Sequence, residues 1–152
     1  MMENALEING LYKHYDGFAL QDVSFMLPRG VVMGFIGENG AGKTTTIKAV
    51  LNLIRRDAGA IKVLGLDNIA EERAVKERIG VVLEDGCFLN TLTARHVDVL
   101  MGKAYQSCQS EQFFLFMERF GIDRNKKIKD YSKGMRMKVS IAAALSHGAE
   151  LL

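Results

Sequence analysis

Residues 37 to 45 read Gly-Glu-Asn-Gly-Ala-Gly-Lys-Thr-Thr, a complete match to G-x-x-x-x-G-K-[ST]. The residue types at this spacing suit one chemistry, the binding of nucleotide phosphates. Gly37, Gly40 and Gly42 let the backbone turn where a Cβ would clash, and Glu38, Asn39 and Ala41 complete the loop, so that successive N–H groups point at phosphate oxygens. Lys43 is the cation that reaches the β- and γ-phosphates. The Thr44 hydroxyl is placed to ligate Mg²⁺, with Thr45 beside it. A helix starting here adds a partial positive charge at its N-terminus.

Such a loop works only between a strand and a helix, and both are expected. Val31-Val32-Met33-Gly34-Phe35-Ile36 is a short apolar run that predicts a fully buried parallel strand. Ile47, Val50, Leu51 and Ile54 fall at i, i+3, i+4, i+7 and predict one buried helix face. The alternative, a glycine-rich turn with no ligand, accounts for neither flank.

Other segments organise around this unit. Residues 5 to 13 and 22 to 27 predict two half-buried strands, with Leu6 and Ile8, then Val23, Phe25 and Leu27, alternating with polar neighbours. Asp16-Gly17 marks a turn between them. Pro28-Arg29-Gly30 leads into the phosphate loop's strand, and Asp57-Ala58-Gly59 ends its helix. Ala60 to Leu64 predicts a short strand, Glu71 to Arg78 a turn or two of charged helix, and Ile79-Gly80-Val81-Val82-Leu83 a second buried strand. After residue 85 the pattern becomes helical. Thr93 caps a helix to about Gln106, Ser110 one to about Phe120 ended by Gly121, and Ser132 a third. Phe113, Phe114, Phe116, Met117 and Phe120 read as packing, as do Val139, Ala142, Ala143 and Leu145. The result is α/β first and all-helical second.

Composition narrows the class. The chain has 152 residues, 48% hydrophobic and 25% charged, enough for one domain with a sizeable core. A net charge of +2 gives no argument for a nucleic-acid partner. No run approaches the roughly 20 apolar residues of a membrane span. Neither a basic n-region nor an apolar h-region opens the chain, so no secretory signal is read. Cys87 and Cys108 lack metal spacing and read as reduced thiols of a cytoplasmic protein.

From about Leu6 to Leu152 the chain resembles the nucleotide-binding subunit of an ATP-binding cassette (ABC) transporter. Gly37 to Thr45 looks like the family's Walker A loop. Tyr15 sits where the family places an aromatic that stacks on adenine, with Tyr12 as a rival. Residues 79 to 84 look like the strand leading into the Q-loop. Tyr131-Ser132-Lys133-Gly134-Met135 looks like a divergent form of the Leu-Ser-Gly-Gly-Gln signature. A plain N-cap serine is the alternative for Ser132; the Walker A loop upstream favours the signature.

The resemblance implies an α/β P-loop NTPase of ABC type, with an antiparallel β subdomain and an inserted helical subdomain, incomplete at the C-terminus. Residues 1–85 would form the nucleotide-binding part, 86–147 the helical subdomain with the signature helix, and 148–152 the start of the Walker B strand. ATP and Mg²⁺ are the implied cofactors. Lys43 and Glu84 would serve catalysis, and Thr44 and Glu84 the metal. Ser132 and Gly134 would complete the site of a second ATPase subunit in a head-to-tail dimer. A membrane permease encoded elsewhere is the other partner, holding the subunit at the inner face of the cell membrane.

Two departures matter. Glu84 stands where the family usually has glutamine; a carboxylate still ligates a hard cation, but it cannot donate a hydrogen bond and it repels the γ-phosphate. And the Walker B aspartate, catalytic glutamate and switch histidine of the family lie beyond Leu152. His14, His96 and His147 come too early and read as surface or helix residues. The chain therefore reads as the N-terminal portion of an ABC ATPase, deficient in hydrolysis when alone. The alternative is a module that binds nucleotide or a partner and never hydrolyses.

Overall fold

The structure, a computed structural model, describes residues 3–83 and 88–152. The chain falls into two compact units, residues 1–76 and 77–152, with helix α2 (Glu72–Arg78) running through the boundary.

The first unit is built on an antiparallel hairpin of β1 (Asn4–Tyr15) and β2 (Phe18–Pro28). Asp16-Gly17 makes the turn, with Gly17 at φ 81°. A second, shorter hairpin of β3 (Ala58–Val63) and β4 (Leu66–Asp67) completes a sheet of order β2-β1-β3-β4. Ala60 to Leu64 was expected as one strand; Leu64 and Gly65, both at positive φ, turn it back on itself.

The strands are bulged, and the bulges choose the core. Simple alternation predicted Leu6 and Ile8 together on one face. Instead Ala5, Ile8 and Leu11 are buried, three residues apart, because the β1–β2 register shifts between Ile8 and Leu11. Ile61 and Val63 close the same core, each fully buried and contributing about 1.5–3 kcal/mol. Gly59 marks where β3 crosses β1 most closely: a Cβ there would lie 2.1 Å from the Gly10 carbonyl oxygen.

Two expectations around the phosphate loop are corrected. Residues 31–36 form no strand and belong to no ladder, and every residue from 31 to 40 is exposed. An apolar run becomes a strand only where a neighbour offers hydrogen bonds, and none of β1–β4 pairs with it. Helix α1 (Lys43–Val50) is shorter than the apolar spacing implied, and Ile47 is exposed while Thr46 and Ala49 are buried. Asn52, at φ 52°, stops it: the Leu53 N–H reaches Lys48 O at 2.9 Å and the Asn52 N–H reaches Ala49 O at 3.1 Å, a Schellman ending.

The second unit is helical: α3 (Ala94–Ala104), α4 (Ser110–Arg119), a 3-10 turn (Ile128–Asp130) and α5 (Lys133–Ser146). Ala94, Val97 and Met101 face Phe113 and Met117 of α4 and Val139, Ala142 and Ala143 of α5 in one core. These sit at helical spacing, so each helix buries one stripe. Thr93 caps α3 as expected, in a capping box closed by the His96 ring nitrogen. The N-cap of α4 is Gln109 rather than Ser110 and gives no side-chain bond. Leu145 is exposed; Ser140, Ala144 and Ser146 take buried places on α5 instead.

The run 79–83 was expected to be a buried strand, yet only Ile79 and Gly80 are buried, and Val81 and Leu83 are exposed. Ile79 pairs in parallel with Leu151, and the Gly80 N–H donates to Leu151 O at 2.8 Å. His147 is also corrected. It ends α5 deep in the unit, stacked on Tyr105 with ring centroids 4.0 Å apart, and its Nε2 lies 3.0 Å from Ile79 O. Cys108 is a free thiol whose acidity burial suppresses.

Candidate nucleotide-binding site

The loop at 37–45 curls over its own lysine. Lys43 Nζ donates to Gly37 O at 2.6 Å and to Glu38 O at 2.7 Å. Two oxygen acceptors already converge on the ammonium, the geometry a pair of phosphate oxygens would also require. The Ala41 N–H closes a tight turn on Glu38 O at 3.2 Å. Lys43 is the first residue of α1, whose first turn carries no acid, so its positive end is uncompensated by the helix's own side chains. Thr44 lies exposed on that turn, with Thr45 half-buried behind it.

Gly42 decides where the loop rests. It sits at φ 93°, and a Cβ there would lie 2.2 Å from Leu20 Cδ2 and 3.1 Å from Phe18 Cζ. The loop is thus seated directly on β2. Phe18 is in turn the cross-strand partner of Tyr15. One hairpin therefore carries the loop and presents Tyr15 at its tip. The rival Tyr12 is equally exposed but lies opposite Ala58 of β3.

The hairpin tip is held by Asp57, which the sequence reading took only as part of a helix-ending turn. Asp57 accepts from Lys13 Nζ at 2.8 Å and from the His14 N–H at 2.7 Å, while its own N–H donates to Tyr12 O at 2.9 Å. The Lys13 hydrogen bond, then the His14 N–H, hold the Asp57 carboxyl below its ordinary value. Lys13 Nζ also lies 5.2 Å from the Tyr15 ring centroid, a cation–π contact that orients the ring. A pattern search cannot find Asp57, because its partners are 43 and 44 residues away.

Ser132 and Gly134 come together in the other unit. Ser132 is the N-cap of α5, its Oγ accepting from the Met135 N–H at 3.2 Å. Gly134 is exposed, and a Cβ there would meet only Ser132 Oγ, at 4.0 Å. Tyr131 anchors this end: its ring fills the core, its hydroxyl donates to Asp123 O at 2.6 Å, and burial pushes its acidity down. Tyr15 and the loop lie in the unit 1–76, Ser132 and Gly134 in the unit 77–152. Glu84 lies outside the described residues.

The model of the ABC transporter family matches residues 20–152. The chain is 36% identical over 141 residues to the ABC transporter ATP-binding protein NatA of Bacillus subtilis, covering 88% of this chain and 57% of that protein. It is 35% identical over 154 residues to the daunorubicin/doxorubicin resistance ATP-binding protein DrrA of Streptomyces peucetius, covering 97% of this chain and 47% of that protein. The chain thus spans about half the length of these relatives. Among solved structures, an ATP-binding subunit of an ABC transporter superposes with a TM-score of 0.84 at 28% identity, over 94% of this chain and 62% of that one. The chain belongs to the ABC transporter ATP-binding family, with the P-loop NTPase fold of its nucleotide-binding domains.

Proposed function

We propose that this chain binds Mg-ATP as part of an ATPase that powers transport through a membrane permease. The observation that carries the reading is the loop itself: Lys43 drawn in over Gly37 and Glu38, at the start of α1, on the hairpin that presents Tyr15. In this reading the Gly37–Thr45 amides and Lys43 hold the phosphates. Thr44 and Glu84 hold Mg²⁺, which supplies charge neutralisation at the β- and γ-phosphates. Tyr15 lies against the base by stacking, without base specificity. Ser132 and Gly134 complete the site of a second subunit arranged head to tail. Among the described residues no helix is long and apolar enough to cross a membrane.

The same reading separates binding from turnover. Residues 31–36, which lead into the loop, are exposed and join no strand among the described residues, and fully preorganised donors are what phosphoryl transfer depends on. The chain of 152 residues by itself is proposed to release phosphate no faster than background. Daunorubicin/doxorubicin-resistance and bacitracin-transport ATP-binding proteins are among its relatives, which makes a drug-like compound the leading cargo class.

Calorimetry with Mg-ATP tests the reading. Lys43→Ala removes a charge-assisted contact to phosphate and should weaken binding by tenfold or more, about 1.4 kcal/mol. Equal affinity in the parent and in Lys43→Ala would overturn the assignment.

A further inference from the structure

We infer that Asn68, a residue remote from the loop in sequence, positions the phosphate-binding helix by clamping its far end. The inference rests on the Mg-ATP reading above. Asn68 follows β4, and its side chain is 1% exposed. Its Nδ2 donates to Ala49 O at 2.8 Å and to Val50 O at 2.9 Å, the carbonyls at the C-terminal end of α1. Both amide hydrogens are spent there. Its Oδ1 accepts from Arg56 Nη1 at 2.5 Å, and its own N–H donates to Ile61 O of β3 at 3.1 Å.

This arrangement admits one amide orientation. Reversed, Oδ1 would face two carbonyl oxygens and Nδ2 would face a guanidinium, so every contact would repel. Arg56 is itself fixed: Nε donates to Gly59 O at 3.0 Å and Nη2 lies 3.6 Å from Asp67 Oδ2. Asp67 Oδ1 accepts the Ile69 and Ala70 N–H groups at 2.9 Å each. The chain of contacts runs from strand β3 through Asn68 to the end of the helix. A buried leucine would fill the space; it would not reach either carbonyl, whereas a fully satisfied buried network specifies a single geometry.

The consequence for the site follows from the helix being short. Helix α1 has 8 residues and so is about 12 Å long, and a tilt of about 5° carries its N-terminus by about 1 Å. Gly42 holds the near end against Leu20 and Phe18 of β2, and Asn68 holds the far end against β3. With both ends fixed on one sheet the helix cannot pivot, and Lys43 and the loop amides keep their aim. Misplacement of about 1 Å is enough to cost a site most of its function.

The test uses the whole chain and two variants. Asn68→Leu keeps the volume and removes both donors; Arg56→Lys keeps the charge beside Asp67 and loses the fork that orients the Asn68 amide. Each is measured well below its melting temperature, by calorimetry with Mg-ATP and with Mg-tripolyphosphate, and by hydrogen exchange without nucleotide. Asn68→Leu should weaken both ligands by tenfold or more and Arg56→Lys by about threefold or more, with faster exchange confined to the amides of residues 43–53 while β3 stays protected. Unequal losses, with tripolyphosphate unaffected, would overturn the inference, because the clamp acts on the phosphate loop. So would a lowered melting temperature with Mg-ATP affinity unchanged within twofold, which would make Asn68 a packing residue only. A parent chain that binds neither ligand would instead refute the Mg-ATP reading, and the positioning role with it. If Asn68→Leu does not fold, Arg56→Lys alone decides between the first two results.

Discussion

Replacing Gly42 with alanine gives the sharpest test of how the loop is seated. Two costs add. At φ 93° an L-residue is held on the left-handed side, at about 1–2 kcal/mol. The new Cβ would also stand 2.2 Å from Leu20 Cδ2, against a normal carbon–carbon approach of about 3.5–4.0 Å. Leu20 is buried and cannot swing away freely, so relief of the overlap costs a further ~1–3 kcal/mol. The total of about 2–5 kcal/mol is a large part of a domain stability of about 5–15 kcal/mol. The assay is urea unfolding of four proteins: parent, Gly42→Ala, Leu20→Ala and the double variant. Leu20→Ala alone opens a cavity and should cost about 2–5 kcal/mol. In the double variant the overlap with Leu20 is gone and only the 3.1 Å approach to Phe18 Cζ remains, so its loss should fall short of the sum of the singles by about 1–3 kcal/mol. Strict additivity would refute the contact between Gly42 and Leu20 of β2.

Two further outcomes follow from named groups. In a chain extended to the length of its relatives, Glu84→Gln should preserve or raise ATP turnover, because it restores a neutral donor and removes repulsion from the γ-phosphate; a tenfold drop, about 1.4 kcal/mol, would show that the carboxylate is an adapted metal ligand. Asp57 has its folded-state pKa lowered from 3.8, so it adds stability above that value and loses the contribution as pH falls below it. The melting-temperature gap between the parent and Asp57→Asn should therefore be present at neutral pH and shrink below about pH 4; a gap that persists unchanged in acid would show that Asp57 does not anchor the hairpin tip through its charge.

Local patterns were legible wherever the determining contacts lie a few residues apart. The glycine loop and the start of α1 are of this kind, since Lys43 bonds to Gly37 and Glu38. So are the Thr93 cap of α3 and the Ser132 cap of α5, where hydroxyl and amide are three residues apart. The ABC resemblance itself came from such local motifs, and the family match over residues 20–152 agrees with it. Helical stripes also read correctly in the second unit apart from Leu145, which is exposed, because a 3.6-residue period is a property of one segment.

What the sequence alone could not decide is which surfaces find partners. The run 31–36 has every mark of a buried strand and lies exposed, because a strand is a relation between segments and no strand of its sheet pairs with it. Bulges in β1 moved the buried set from alternation to Ala5, Ile8 and Leu11, since register is settled by cross-strand pairing. The seat of Gly42 on Leu20 and Phe18, the Asp57 anchor of the hairpin tip, and the bonds from Asn68 to the end of α1 all join residues 18 or more apart. The sequence by itself pointed to the phosphate-binding motif and determined the caps, whose atoms are held close by the covalent chain. Tertiary structure decided where that chemistry is aimed, because aim depends on contacts whose geometry the covalent chain does not encode locally.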